Sequence, residues 1–266
     1  MIGILDSGVG GLTVARALMA RLPGCDMRYF GDTARTPYGD KSREAISACA
    51  SEGAGHLMRQ GATLLVIACH TISALAADEI RQRYEVPVFD MVSVTAARAL
   101  EGSEKGRFGV IGTRATVESG AYETCLRRLC ETAKVFSQAC PLIVPLVEAG
   151  YTHRPEAAMI IKKYLHPIKV RQMDTLIPGC THYTAVENII RRKIGRRVRV
   201  VDPSAAMADA VSSFLEAHPE AEARLRRLRS PVFEVSDVTP HWERTAQALF
   251  RQRIRLTHSA PVSSGG

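Results

Sequence analysis

The chain has 266 residues, 46% of them hydrophobic and 23% charged, which suits one large or two modest α/β domains. No apolar stretch approaches the roughly 18 residues of a membrane span, and "MIGILDSG" opens without the basic and apolar regions of a signal peptide. Seven irregularly spaced cysteines imply reduced thiols and a cytoplasmic setting, while a charge of +8 with only 6% aromatic residues argues against nucleic-acid binding as the main role.

Short apolar runs alternate with amphipathic ones from the start. "MIGILD" (1–6) predicts a strand, followed by a glycine loop and the helix "LTVARALMARL". "MRYFGD" (27–32) predicts a second strand, which leads through "TPYGD" (36–40) into the helix "SREAISACASEGAGHLMRQG". "TLLVIACH" then reads as a strand buried on both faces, and "SALAADEIRQRY" as a helix. "VPVFD" (86–90) gives another strand before a helix ending near Leu100. Repeated β-α units predict parallel sheets with helices on both faces.

The pattern then restarts. "RFGVIGTRATVESGAYETCLRRL" (107–129) resembles the opening segment, and "DTLIPGCTHYTAVENII" (174–190) resembles "ATLLVIACHTISALAADEI" (62–80). The spacing agrees, with 63 residues from Asp6 to Cys69 and 67 from Thr113 to Cys180. The expectation is two similar α/β domains, pseudo-twofold related, with the active site in the cleft between them. Residues 1–96 plus 206–258 form the first domain and 97–205 the second. "VRVVDPSAAMADAVSSFLEA" (198–217) supplies a strand, a turn and a helix that crosses back. The basic stretches 191–199 and 224–229 read as solvated helix faces or turns, and 259–266 as a disordered tail.

Parallel sheets bind ligands beyond the carboxyl ends of their strands. Asp6, Cys69, Thr113 and Cys180 all fall at such ends, so facing domains would bring both cysteines to one cleft. Each cysteine also precedes a helix, whose dipole favours a thiolate and should lower the thiol's pKa. Beside His70 and His182, the two thiols can serve as general base and general acid on opposite faces of one carbon. That is the chemistry of a cofactor-independent racemase or epimerase. "DSGVGG" offers N–H groups and a hydroxyl for a carboxylate, "TPYGD" a turn to close over a ligand. Thr71, Thr113, Thr116 and Thr181 add hydrogen bonds for a small amino-acid substrate.

Other readings compete. A dinucleotide site needs GxGxxG, which fails at Thr13, and Asp6 would repel a pyrophosphate. Cys69, His70, Cys180 and His182 match a zinc set by residue type, but neighbours 69 and 70 seldom face one metal and no CxxC is present. A binding protein without chemistry stays open.

Taken together, "ILDSGVGGLTV", "GDTARTPYG", "IACHT", "VIGTRATVESGAY", "PLVEAG" (145–150), "PGCTHY" and "VVDPS" resemble, in order, the aspartate/glutamate racemase family along nearly the whole chain. "GCTHY" is similar to the glutamate branch in particular. The resemblance implies interconversion of L- and D-glutamate without pyridoxal phosphate, another cofactor or a metal, supplying D-glutamate for peptidoglycan in a bacterial cytoplasm. A racemase of another acidic amino acid such as aspartate, or a catalytically impaired amino-acid-binding homologue, are the alternatives, and a homodimer is left open. By the same resemblance Cys69 and Cys180 are the catalytic thiols, with Asp6 assisting the first and Glu148 and His182 the second. Asp6, Ser7, Tyr38, Gly39, His70, Thr71, Thr181 and His182 fall where the family contacts its substrate, with Thr113 and Thr116 as further members. Three positions depart from the family pattern: His70 stands for Asn, Pro178 for Leu and Thr184 for Pro. A protonated His70 would add positive charge beside Cys69.

Overall fold

The computed structural model describes residues 1–225 and 230–260. The sequence-based readings of 226–229 and of 261–266 therefore lie outside the described residues. Ten strands run Ile2–Asp6 (β1), Met27–Gly31 (β2), Leu64–Ile67 (β3), Val88–Asp90 (β4), Arg107–Gly112 (β5), Lys134–Ala139 (β6), Thr175–Gly179 (β7), Arg199–Val200 (β8), Val232–Val235 (β9) and Leu256–His258 (β10). The helices are Leu12–Arg21 (α1), Arg43–Arg59 (α2), His70–Arg83 (α3), Met91–Glu101 (α4), Arg114–Glu118 (α5) and Ala121–Leu129 (α6). They continue with Ile143–Glu148 (α7), Pro155–Lys169 (α8), Glu187–Ile194 (α9), Pro203–Ala217 (α10), Pro219–Ala223 (α11) and Pro240–Phe250 (α12).

The strands make two sheets, ordered β10-β9-β2-β1-β3-β4 and β6-β5-β7-β8. Every pairing is parallel. The order β2-β1-β3-β4 repeats as β6-β5-β7-β8, so the duplicated sequence becomes duplicated topology. Cys69 follows β3 and Cys180 follows β7, which places them at equivalent points of the two halves.

The apolar run of β3 explains the first sheet. Leu64 and Val66 pack into the core shared with α1 and α10, while Leu65 and Ile67 face the core beneath α2 and α3. A strand covered on both sides has no use for alternation. The first of these cores continues through Ile111, Ile143 and Leu176 into the second half, so the two sheets share one apolar body. Local chemistry sets the helix starts: Ser42, Asp90, Thr113 and Asp202 each accept a hydrogen bond from a backbone N–H of the first turn. Pro178 sits in β7 where a missing N–H is harmless. The Leu176 carbonyl accepts from Val201 on the β8 side, Pro178 turns its nitrogen the same way two residues on, and β8 has ended by then.

The last part of the chain returns to the first sheet. Strand β9 pairs with β2, and Glu234 at its centre binds Arg28 at 2.5 Å and His56 at 2.8 Å. Among the described residues no helix is long and apolar enough to cross a membrane.

Candidate active site

Cys69 is the N-cap residue of α3, in an extended conformation with its side chain making no cap bond. The sulfur lies 3.2 Å from Ser7 Oγ. Behind it Asp6 is buried, its Oδ2 accepting hydrogen bonds from Gly8 N at 3.2 Å, Gly11 N at 2.9 Å and Tyr29 Oη at 3.0 Å. The loop N–H groups expected to hold a substrate carboxylate are thus bound to a carboxylate of the protein itself. This requires the glycine at 11, where a Cβ would sit 2.8 Å from the Asp6 side chain. Burial, then the charge of Asp6, pushes the Cys69 thiol up to about 12, outweighing the nearby Ser7 hydroxyl and Ile72 backbone, which favour the thiolate. The lowered pKa expected from the helix end alone is therefore corrected: desolvation wins.

Cys180 leads into a 3₁₀ turn, Thr181–Val186, rather than directly into an α-helix. His182 turns its Nδ1 to within 3.9 Å of the sulfur and its Nε2 to 3.3 Å from Glu148 Oε1 at the end of α7. The second contact is an ion-pair distance without hydrogen-bond alignment. Burial alone would lower this imidazole's pKa. The Cys180 sulfur and the Glu148 carboxylate, which both favour the charged ring, instead raise it to about 10.

Side chains from the two halves meet around the thiols. Thr71 Oγ1 lies 3.0 Å from Thr113 Oγ1 and 3.1 Å from Thr116 Oγ1, and the latter two are 2.9 Å apart. Gly39 lets its loop approach Thr113, since a Cβ there would lie 2.9 Å from the threonine Cβ. Tyr38 donates to Asp32 Oδ2 at 2.5 Å. The ring of His70 is buried with Nδ1 2.7 Å from Tyr122 Oη of α6. Burial lowers its pKa to about 3, so the imidazole is neutral and the positive charge expected beside Cys69 is absent at neutral pH.

A cavity of about 30 Å³ lies between the thiols. Its wall includes Ser7, Tyr38, Gly39, Cys69, His70, Thr71, Thr113, Cys180, Thr181 and His182. Asp6, Thr116 and Glu148 are one layer back: the structure does not place Asp6 or Thr116 where they were expected to touch a ligand. Such a volume admits a water or two, less than an amino acid needs. Sequence reasoning missed Tyr29 and Tyr122, which orient Asp6 and His70, and Val144, an apolar wall residue of α7. Tyr29 follows from strand register, which pairs β1 with β2; no local motif announces it. Among the described residues no three His, Cys, Asp or Glu side chains converge as a metal-ligand set.

Two thiols reaching one cavity from duplicated halves, each with its own acid–base neighbour, make an arrangement that can move protons on either side of a small molecule. The Asp/Glu/Hydantoin racemase family matches residues 13–211, and the chain belongs to it. It is 45% identical over 215 residues to a glutamate racemase of Syntrophus aciditrophicus, covering 81% of this chain and 80% of that one. Its fold is similar to the crystal structure of glutamate racemase isoform RacE1 from Bacillus anthracis, with TM-score 0.92, 31% identity and coverage of 99% and 98% of the two chains. It is likewise similar to the glutamate racemase of Francisella tularensis in complex with D-glutamate, with TM-score 0.90, 31% identity and 98% of each chain covered.

Proposed function

We propose that the protein is a glutamate racemase that interconverts L- and D-glutamate by a two-base mechanism, supplying D-glutamate for peptidoglycan in a bacterial cytoplasm. The observation that carries this reading is the placement of Cys69 and Cys180 at equivalent strand ends of the two halves, on the wall of one cavity. One thiolate removes the α-proton, and the opposite thiol returns a proton to the other face of the same carbon. Ser7 and Asp6 assist at Cys69, His182 and Glu148 at Cys180. Tyr38, Gly39, His70, Thr71, Thr113 and Thr181 hold the amino acid, and their donors stabilise the charge that develops on the substrate. Thr116 positions Thr71 and Thr113. Residues 1–96 with 206–258 form the domain carrying Cys69, and 97–205 the one carrying Cys180.

The test is L-glutamate incubated with the protein in deuterated water. Loss of optical rotation with deuterium at the α-carbon is expected. The same result with aspartate and none with glutamate would move the reading to another acidic amino acid, and inert protein with both would overturn it.

A further inference from the structure

His70 lines the cavity from the Cys69 half, bonds to a side chain of the other half and keeps a polar atom to spare. Only 2% of the residue is exposed, and its Nε2 has no hydrogen-bond partner. Nδ1 is 2.7 Å from Tyr122 Oη. Tyr122 is equally buried, and its hydroxyl's other polar neighbours are the Met91 carbonyl at 3.5 Å and the Thr95 hydroxyl, which makes no hydrogen bond.

We propose that Tyr122 donates its hydroxyl proton to His70 Nδ1 and so fixes His70 as the neutral Nε2–H tautomer, a donor aimed at a carboxylate of the substrate. The distances choose between the two tautomers. If Nδ1 carried the proton, it would donate to Tyr122, and the phenolic proton would be left with the 3.5 Å contact to Met91 or with Thr95 Oγ1, which is not placed for a hydrogen bond. If Nδ1 is the acceptor, the phenol makes the short bond and the one donor left unpaired is His70 Nε2–H, on a ring that lines the cavity. The Met91 carbonyl loses nothing, because it lies in the first turn of α4. Burial is the sole cause recorded for the lowered pKa of this imidazole, so no neighbouring charge competes for its protonation state.

A neutral Nε2–H has one donor and no lone pair on that atom. It can bind a carboxylate oxygen and has nothing to offer an ammonium. His70 thus selects for an anionic group at its end of the cavity without adding a positive charge next to Cys69. Because His70 belongs to α3 and Tyr122 to α6, the donor is oriented only when the halves are together. Tyr122 is accordingly a positioning residue. This assignment rests on the reading that the cavity takes an acidic amino acid.

Long-range ¹H–¹⁵N correlation spectra of the full-length protein labelled in its histidines decide the tautomer, with His70→Asn identifying the signal. The expected pattern is Nε2–H in the wild type and a shift towards Nδ1–H in Tyr122→Phe. Steady-state kinetics of Tyr122→Phe should show KM for glutamate raised roughly three- to tenfold, with kcat changed less, as expected for loss of an oriented donor. An Nδ1–H or cationic His70 in the wild type would overturn the proposal even if Tyr122→Phe failed to fold. So would wild-type KM in a folded Tyr122→Phe protein that still racemises glutamate. A wild-type protein that neither binds nor turns over glutamate would instead bring down the racemase reading, and the carboxylate assignment with it.

Discussion

Cys69 and Cys180 occupy the same place in two copies of one topology, but their surroundings have diverged. Behind Cys69 the support is sealed: Asp6 and Tyr29 are buried and bonded to one another and to loop backbone. Behind Cys180 the polar chain runs outward through His182 to Glu148, which also lines a cavity of about 570 Å³ bordered by Thr13, His153, His241 and Arg244. The fold decides where a thiol stands, and its neighbours decide how its proton is exchanged. Behind one thiol lies a closed carboxylate network, behind the other a polar chain that reaches a second cavity.

The largest expected effect tests whether both regions are needed at all. Cys69→Ser and Cys180→Ser should each reduce racemisation by about 10³-fold or more, since a hydroxyl is a far weaker acid than a thiol. Each should still support one-sided elimination from a substrate with a good leaving group. A Cys180→Ser protein retaining a tenth of the racemase rate would break the comparison.

Removing the second member of each support sharpens it. Asp6→Asn and Glu148→Gln should each slow turnover by roughly 10²-fold, the lower end of general acid–base effects. With α-deuterated L- and D-glutamate, each variant should enlarge the isotope effect in the direction in which its own thiol takes the proton. The two variants should therefore show opposite asymmetries. Matching isotope effects in both would mean that the two supports act on one common step.

A smaller effect separates the regions by pH. The His182 pKa is raised to about 10, above the ordinary value of 6.5, so its stabilising contribution is complete below pH 6.5 and lost as pH climbs through about 10. Thermal midpoints of wild type and His182→Asn, measured across pH, should converge towards pH 10. A constant gap would show that His182 does not gain its proton from Cys180 and Glu148.

His70 gives the smallest effect and the opposite sign. Its pKa is lowered to about 3, so the unfolded chain takes up a proton that the folded one refuses, and stability falls as pH drops from 6.5 towards 3. His70→Asn should lessen that acid loss while leaving the shape of the pH–rate curve between pH 7 and 9 as in the wild type, whatever its height. A displaced curve in that range would restore the charged imidazole that the structure argues against.

Much of this was legible in the sequence because duplication leaves two readable copies. The matched runs around residues 69 and 180, and around 6 and 113, place the strand ends that carry the site. Less legible were strands such as β6, which carries Lys134, Ser137 and Gln138, and β9, which buries Glu234 between Arg28 and His56. Polar residues interrupt the apolar pattern in both, and in β9 partners distant in sequence satisfy the buried carboxylate. The state of the Cys69 thiol was misread for a related reason. A helix end is visible locally, whereas the burial and the Asp6 charge that override it belong to the folded site. The lock on Asp6 by Tyr29 depends on strand register, and register is a property of the folded sheet.

The pairing of β2 with β9 has a consequence for synthesis. Residues 28–31 leave the ribosome some 200 residues before their partners at 232–235. All four strands of the second sheet, which end at Val200, are made in that interval. The inserted half can close on itself while the outer half still waits with an unpaired strand edge, the kind of surface that invites wrong pairing. Joining β9 to β2 closes a very long loop, a slow step relative to contacts near in sequence. Chain growth therefore lets the Cys180 half form before the sheet of the Cys69 half is completed.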